Sequence, residues 1–215
     1  MEVEEGKEFK EICKCGIAGK DVLEVGCGDG RMTRRIAKVA KRVVGIEPDG
    51  SKVAKARENG GAEIIVGDGE RLPFPDSVFD VVLYTLSFHH LSDQEAGLGE
   101  ALRVLRPGGK IVIYEPDAEG QVQRLFLLFE DEKEALAQTY QTLGRARALG
   151  KLKRAEQRVF SIIWEFNNFA ELVGYFAKQY GREKVECKHK EMKGIVGKGR
   201  GKIGLEDRVV LLELG

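Results

Sequence analysis

Short apolar runs alternate with amphipathic stretches along the first half of the chain. Asp21–Val25, Arg42–Glu47, Glu63–Val66, Phe79–Tyr84 and Lys110–Glu115 are rich in Val, Ile and Leu and read as buried strands. Between them, Arg31–Lys41, Ser51–Asn59 and Asp93–Leu105 carry apolar residues at spacings of three and four, the period of a helix with one buried face. Ser51 and either Ser92 or Asp93 stand where helix caps belong. Arg106-Pro107-Gly108-Gly109 reads as a turn that ends the last of these helices and leads into the fifth strand. Strands alternating with helices imply a parallel sheet with helical crossovers, an α/β fold.

The rhythm changes after Asp117. Val122–Leu149 reads as a long charged helix with an apolar stripe of Leu125, Phe126, Leu128, Phe129, Leu136 and Leu143, and Asn167–Tyr180 as another helix. Lys184–Lys190 and Arg208–Leu214 read as two final strands, joined by the Gly-rich basic segment Lys193–Lys202. The organisation expected is a core over residues 1–118, a helical cap inserted at 119–180, and a strand pair at 181–215 that completes the sheet.

With 215 residues, 42% hydrophobic side chains and five prolines, the chain can bury one sizeable core. Its formal net charge of zero gives no general attraction to nucleic acid or anionic membranes. No apolar run approaches the roughly 18 residues of a membrane helix, and the acidic start Met1-Glu2-Val3-Glu4-Glu5 is unlike a signal peptide, so a cytoplasmic location is expected. Cys13, Cys15, Cys27 and Cys187 lack the spacing of a zinc site and read as structural thiols, with no metal expected.

The densest chemistry lies at Val22-Leu23-Glu24-Val25-Gly26-Cys27-Gly28-Asp29-Gly30-Arg31-Met32-Thr33, a strand running through three alternating glycines into a helical pattern. Glycine can adopt positive φ and lacks a Cβ, so the backbone can turn sharply and approach a nucleoside cofactor closely. A nicotinamide fingerprint needs another glycine where Arg31 stands. Glu24 and Asp29 would repel a pyrophosphate but attract a cation. At an effective dielectric near 20, an ion pair at 4 Å gains roughly 4 kcal/mol before desolvation. The sulfonium and ammonium groups of S-adenosylmethionine suit this charge pattern.

Four motifs then occur in order: the glycine loop, Gly45-Ile46-Glu47-Pro48, Gly67-Asp68-Gly69-Glu70-Arg71-Leu72-Pro73-Phe74, and Leu105-Arg106-Pro107-Gly108-Gly109-Lys110. Through them the chain resembles the class I S-adenosylmethionine-dependent methyltransferases, in particular the small-molecule branch similar to ubiquinone/menaquinone-biosynthesis methyltransferases. The resemblance covers residues 20–115 and implies a Rossmann-like, doubly wound, seven-stranded sheet, mostly parallel with an antiparallel last strand. It also implies that Gly26, Gly28 and Gly30 pass under the methionine moiety while Glu24 and Asp29 face its ammonium group. Glu47 would bind the ribose hydroxyls, Asp68 and the Gly69 N–H would bind adenine, and Pro48 and Leu72 would flank its faces. Tyr84, at the end of the fourth strand, joins the cofactor-facing set.

Methyl transfer is an in-line displacement for which alignment can supply most of the acceleration. Where the acceptor needs a base, His89 and His90 in Ser87-Phe88-His89-His90-Leu91 are the candidates, against the alternative that both are structural. Tyr84, Glu115 and Asp117, at the ends of the fourth and fifth strands, are weaker candidates. Phe126, Phe129, Tyr140, Phe160, Trp164 and Phe166 suggest an apolar or aromatic small-molecule acceptor, or else a packed core. The basic run Arg145, Arg147, Lys151, Lys153, Arg154 and Arg158 reads as a solvated face, with an anionic acceptor as the alternative. An RNA methyltransferase and a non-catalytic cofactor-binding partner or sensor are the competing functions. Nucleic acid and membrane partners are disfavoured, and a monomer or homodimer is expected.

Overall fold

The structure, a computed structural model, describes residues 2–3, 6–197 and 201–215. In chain order the elements begin with β1 (Glu2–Val3), α1 (Lys7–Cys13), β2 (Asp21–Val25), α2 (Thr33–Ile36), β3 (Arg42–Glu47), α3 (Gly50–Asn59), β4 (Glu63–Val66) and β5 (Phe79–Thr85). They continue with α4 (Gln94–Val104), β6 (Leu105–Pro116), α5 (Gln121–Phe126), α6 (Lys133–Ala148), β7 (Ala155–Phe166), α7 (Phe169–Tyr180), α8 (Arg182–Cys187), α9 (His189–Val196) and β8 (Ile203–Leu214). Among the described residues, no helix is long and apolar enough to cross a membrane.

Two compact units divide the chain. The larger comprises Glu8–Glu115, Ala135–Arg158 and Val210–Gly215, and the smaller Met1–Lys7, Pro116–Glu134 and Val159–Val209. In the larger, the strands follow the order β8-β6-β5-β2-β3-β4, and the pairs β2–β3, β3–β4, β2–β5 and β5–β6 are parallel. In the smaller, the order is β1-β7-β8, with β1 antiparallel to β7. Apart from the two-residue β1, this is the expected Rossmann-like seven-stranded sheet, mostly parallel with antiparallel last strands.

All five residues of β2 are buried, which is why it reads as a continuous apolar run: a central parallel strand is covered on both faces. The chain leaves β2 for β3 on one side and returns as β5 on the other, so the strand order reverses at the carboxyl ends of β2 and β5. Such a reversal opens a crevice where ligands of open α/β sheets bind. Behind it, Leu23, Val44, Phe79, Val82 and Ile111 form the core of the larger unit with the buried face of α4. In the smaller unit, Leu125, Phe129, Phe166, Leu172 and Phe176 form a separate core.

Several local expectations need correction. Residues 184–190 are helical rather than extended, and β7 covers Ala155–Phe166, inside the stretch expected to be a helical cap. Of Val185, Cys187 and His189, only Val185 is buried, so an extended run here would have no apolar face to pack. Val122–Leu149 is broken into α5 and α6, and the helix expected over Arg31–Lys41 is confined to the four residues of α2. Arg106–Gly109 lie within β6 as an irregularity: Phe79 pairs with Leu105, but Val81 pairs with Lys110, and Gly108 takes φ +79°.

Asp49, not Ser51, caps α3, its Oδ1 accepting the Ser51 and Lys52 N–H groups. Asp93 caps α4, its Oδ1 accepting from Glu95 and Ala96 at 3.0 Å each. Asp93→Ala leaves these donors without the side-chain acceptor and is expected to cost about 1 kcal/mol. A urea titration checks this: the midpoint falls with the slope unchanged, and an unaltered midpoint contradicts the assigned cap.

Candidate functional site

A cavity of about 660 Å³ lies in the larger unit beyond the carboxyl ends of β2, β3 and β5. That volume is within the usual range of small-molecule sites, roughly 300–1,000 Å³. The cavity is lined by the end of β2 and the loop after it, Glu47 and Pro48 with Lys52 of α3, the Gly67–Glu70 turn after β4, and the segments Thr85–Ser87 and His90–Ser92 at and beyond the end of β5.

Gly26, Gly28 and Gly30 all have positive φ, at +72°, +57° and +78°. The Gly26 and Cys27 N–H groups both donate to Ile46 O, at 2.8 and 3.1 Å, and the Gly28 N–H donates to Glu47 Oε2 at 2.9 Å. A Cβ on Gly26 would lie 2.5 Å from Ser87 Cβ, whereas one on Gly28 would meet nothing within 4 Å. Gly26 is therefore required by packing, and Gly28 keeps the cavity open. Gly30 faces α3, where its Cβ would lie 3.2 Å from that of Ala56, and it does not line the cavity. Asp29 is exposed and turns the loop by accepting the Arg31 N–H at 3.2 Å.

Glu24 is the electrostatic centre. Its side chain lines the cavity, yet the residue is only 1% exposed. Oε2 accepts from the Thr33 hydroxyl at 2.5 Å, and Oε1 accepts from the Thr85 hydroxyl. Burial pushes its pKa up to about 7, against the opposing pull of the two hydroxyls and of the Arg31 charge. Cys27 beside it is also buried, and its thiol is pushed up to about 12, so it stays neutral.

Glu47 is buried at the end of β3, and its Oε1 accepts the Asp49 N–H at 3.1 Å. Each carboxylate oxygen has two lone-pair sites, so these loop bonds leave capacity for a ligand hydroxyl. Asp68 is exposed and accepts the Glu70 N–H at 2.9 Å. Gly69 is packed so closely that a Cβ would lie 2.7 Å from Val25 Cγ1.

Beyond β5, Leu86 adopts φ +54°, a conformation that costs a side chain of this kind roughly 1–2 kcal/mol. Its neighbours hold it there: Leu86 N–H donates to Tyr114 O at 2.8 Å and the Ser87 hydroxyl to Val25 O at 2.6 Å. A short 3-10 turn, Phe88–His90, follows. Glu115 fixes this turn through three contacts: Oε1 accepts from the Phe88 and His89 N–H groups, and Oε2 lies 2.5 Å from His89 Nδ1.

The cavity thus brings together Glu24, Gly26, Gly28, Asp29, Glu47, Pro48, Asp68, Gly69 and His90 of the sequence-derived set. Tyr84 does not join them: it is fully buried, and its hydroxyl donates to Gly97 O at 3.3 Å. Leu72 and His89 are likewise buried and do not line the cavity, although the His89 ring lies 4.0 Å from that of His90. The continuous apolar run of β5 could have flagged Tyr84, because a central parallel strand is covered on both faces and its residues belong to the core. Thr33, Thr85 and Leu86 went unmarked, since a hydroxyl partner of a distant acid and a positive φ at leucine leave no local signal.

A pH effect follows from Glu24. Its ordinary value of 4.5 rises to about 7 on folding, so the native chain binds this proton more tightly than the unfolded chain. Stability from this group therefore falls as pH rises from 4.5 to about 7, by about 3 kcal/mol in all, and then levels. Glu24→Gln removes the titration, so the variant is expected to gain on the native chain across that window in denaturant unfolding. A constant difference from pH 4.5 to 8 would contradict the assignment.

Residues 23–113 match the family described as a methyltransferase domain. A probable S-adenosylmethionine-dependent methyltransferase of Mycolicibacterium smegmatis is 43% identical over 101 residues, which cover 46% of this chain and 39% of that protein. Demethylmenaquinone methyltransferase of Tropheryma whipplei is 38% identical over 104 residues, covering 46% and 42%. The chain spans less than half the length of these relatives. The crystal structure of a putative methyltransferase from Bacillus halodurans superposes with a TM-score of 0.68 at 20% identity, covering 97% of this chain and 98% of that one, a likeness of fold. The match over residues 23–113 takes in the glycine loop, the buried carboxylates and the strand-order reversal, and over that stretch the chain is similar to methyltransferase domains, among them that of a probable S-adenosylmethionine-dependent methyltransferase.

Proposed function

We propose that the protein is a methyltransferase that uses S-adenosylmethionine to methylate a small-molecule acceptor. The observation that carries this reading is the single cavity surface shared by the glycine loop, two buried carboxylates and His90. When bound, the cofactor supplies an electrophilic methyl group on a cationic sulfur. The residues fit such a guest: Gly28 leaves open space under the loop, and Glu24 and Glu47 place acceptor oxygens at the cavity wall.

In this reading Glu47 accepts from the ribose hydroxyls, while Asp68 and the Gly69 N–H read adenine against Pro48. Glu24 faces the ammonium group, with Asp29 adding negative potential from the loop. The acceptor lies on the His90 side, where Leu86 and Leu91 provide apolar wall. His90 takes the acceptor's proton where the nucleophile is a phenol, an amine or an acidic carbon. His89 serves by holding the turn that carries His90, because Glu115 binds both its backbone and its ring.

Two observations favour a small molecule over RNA. The demethylmenaquinone methyltransferase among the relatives acts on a small molecule. Within the basic run, Arg145 pairs with Glu95, Arg154 with Glu156 and Arg158 with Glu11, so acids offset much of its charge. The aromatics Phe126, Phe129, Trp164 and Phe166 pack in the core of the smaller unit, as their alternative reading held.

Calorimetric titration tests the cofactor assignment. Saturable binding of S-adenosylmethionine and S-adenosylhomocysteine is expected below millimolar ligand, weakened at least tenfold in Gly28→Val, whose side chain would enter open cavity. Equal affinity of the variant, or tighter binding of reduced nicotinamide dinucleotide, defeats the reading. With methyl-labelled cofactor and metabolite fractions, label should reach a small molecule and fall about 10²-fold or more in His90→Ala. Label that appears only in RNA would refute the acceptor class.

A further inference from the structure

We propose that Arg31 is the residue that recognises the carboxylate of the cofactor's amino-acid end, and that Glu8 of α1 occupies this guanidinium until the ligand displaces it. This rests on the reading of the cavity as an S-adenosylmethionine site. The amino-acid end of that cofactor is a zwitterion, so a pocket that offered only acids would satisfy its ammonium and repel its carboxylate. Among the described residues lining the cavity, the permanent cations are Arg31 and Lys52. Lys52 lies in the first turn of α3, beyond Glu47 and Pro48, whereas Arg31 directly follows the glycine loop. Arg31 and Glu24 also interact electrostatically, each favouring the charged form of the other. An acid and a base are thereby presented together where the loop would hold the amino-acid end.

The guanidinium already holds a carboxylate. Arg31 Nη1 contacts Glu8 Oε1 and Arg31 Nη2 lies 3.4 Å from Glu8 Oε2, a two-pronged arrangement matched to the shape of a carboxylate. The Arg31 side chain is 50% exposed, and ion pairs of this accessibility are weak enough to be exchanged. Glu8 also has somewhere to go. Arg35 Nη1 is buried without a hydrogen bond and lies 3.7 Å from Glu8 Oε1, so a short movement transfers Glu8 from one arginine to the other. A ligand carboxylate would then take over the prongs that Glu8 leaves.

The test uses two ligands that share a nucleoside. S-adenosylhomocysteine carries the amino-acid end, and 5′-methylthioadenosine lacks it. Isothermal titration of both into the full chain is expected to show that Arg31→Met weakens S-adenosylhomocysteine at least tenfold and leaves methylthioadenosine within twofold. Arg31→Lys, which keeps a charge but loses the fork, should fall between. Glu8→Gln, by removing the competitor, should tighten S-adenosylhomocysteine about threefold without affecting methylthioadenosine. If Arg31→Met weakens both ligands equally or neither, the Arg31 assignment is overturned while the cofactor site stands. If Glu8→Gln weakens S-adenosylhomocysteine, Glu8 is not a competitor and that half fails. If the native chain binds neither ligand, the reading of the cavity itself is wrong and this inference falls with it.

Discussion

The backbone at Gly26 runs so close to Ser87 that a Cβ would lie 2.5 Å from the serine's own Cβ, and the geometry of the cavity depends on that approach. Because the loop can settle there, two consecutive N–H groups reach Ile46 O and the next glycine reaches Glu47. One contact thus ties the end of β2 to the ends of β3 and β5, the strands that diverge at the reversal of strand order. Any side chain at Gly26 would lift the loop and loosen these bonds together. The Ser87 hydroxyl closes the same joint by donating to Val25 O.

The joint creates an electrostatic problem along with the site. Glu24 and Glu47 are buried within one cavity wall, and burial disfavours the charged form of Glu24. Glu47 receives two backbone N–H donors, whereas Glu24 receives only neutral hydroxyls. Hydroxyls can reorient to serve a protonated acid, so they do not hold Glu24 ionised as firmly as fixed amides would. The neutral Cys27 thiol adds no further charge. Ionised Glu24 therefore costs the folded chain stability at pH values above about 7.

Legibility in the sequence followed the range of the interactions. The strands over 21–25 and 42–47 were readable to the residue because interior parallel strands carry near-continuous apolar runs, the edge strand 63–66 was readable from Ile64, Ile65 and Val66, and the glycine loop was readable because positive φ restricts the residue choice. β7 was hidden because its first half, Ala155–Phe160, opens on a polar run and is exposed or half-buried throughout, although Val159, Phe160, Ile162, Ile163 and Trp164 are strong strand formers. Lys184–Lys190, expected as a strand, lies instead across α8 and the start of α9, where Val185 is the one buried residue of that stretch. Within the site, acids and glycines next to the first motif could be named, but Thr85 lies 61 residues from Glu24 and Glu115 lies 26 from His89. Only the register of β2, β5 and β6 brings those partners together.

That register also sorts the cavity lining by chemistry. The acids belong to the β2 and β3 side, and the β5 side presents Leu86, His90 and Leu91. Leu86 would relax if its φ turned negative, yet its N–H is tied to Tyr114 O and its neighbours are tied to Glu24 and Val25. The strain is thus held by the same bonds that buttress the acid, and its result is a leucine 40% exposed at the cavity mouth. Glu115, with three contacts to the following turn, keeps His89 in the interior and leaves His90 at the surface. Two adjacent histidines thus have different surroundings, one buried against Glu115 and the other exposed at the cavity.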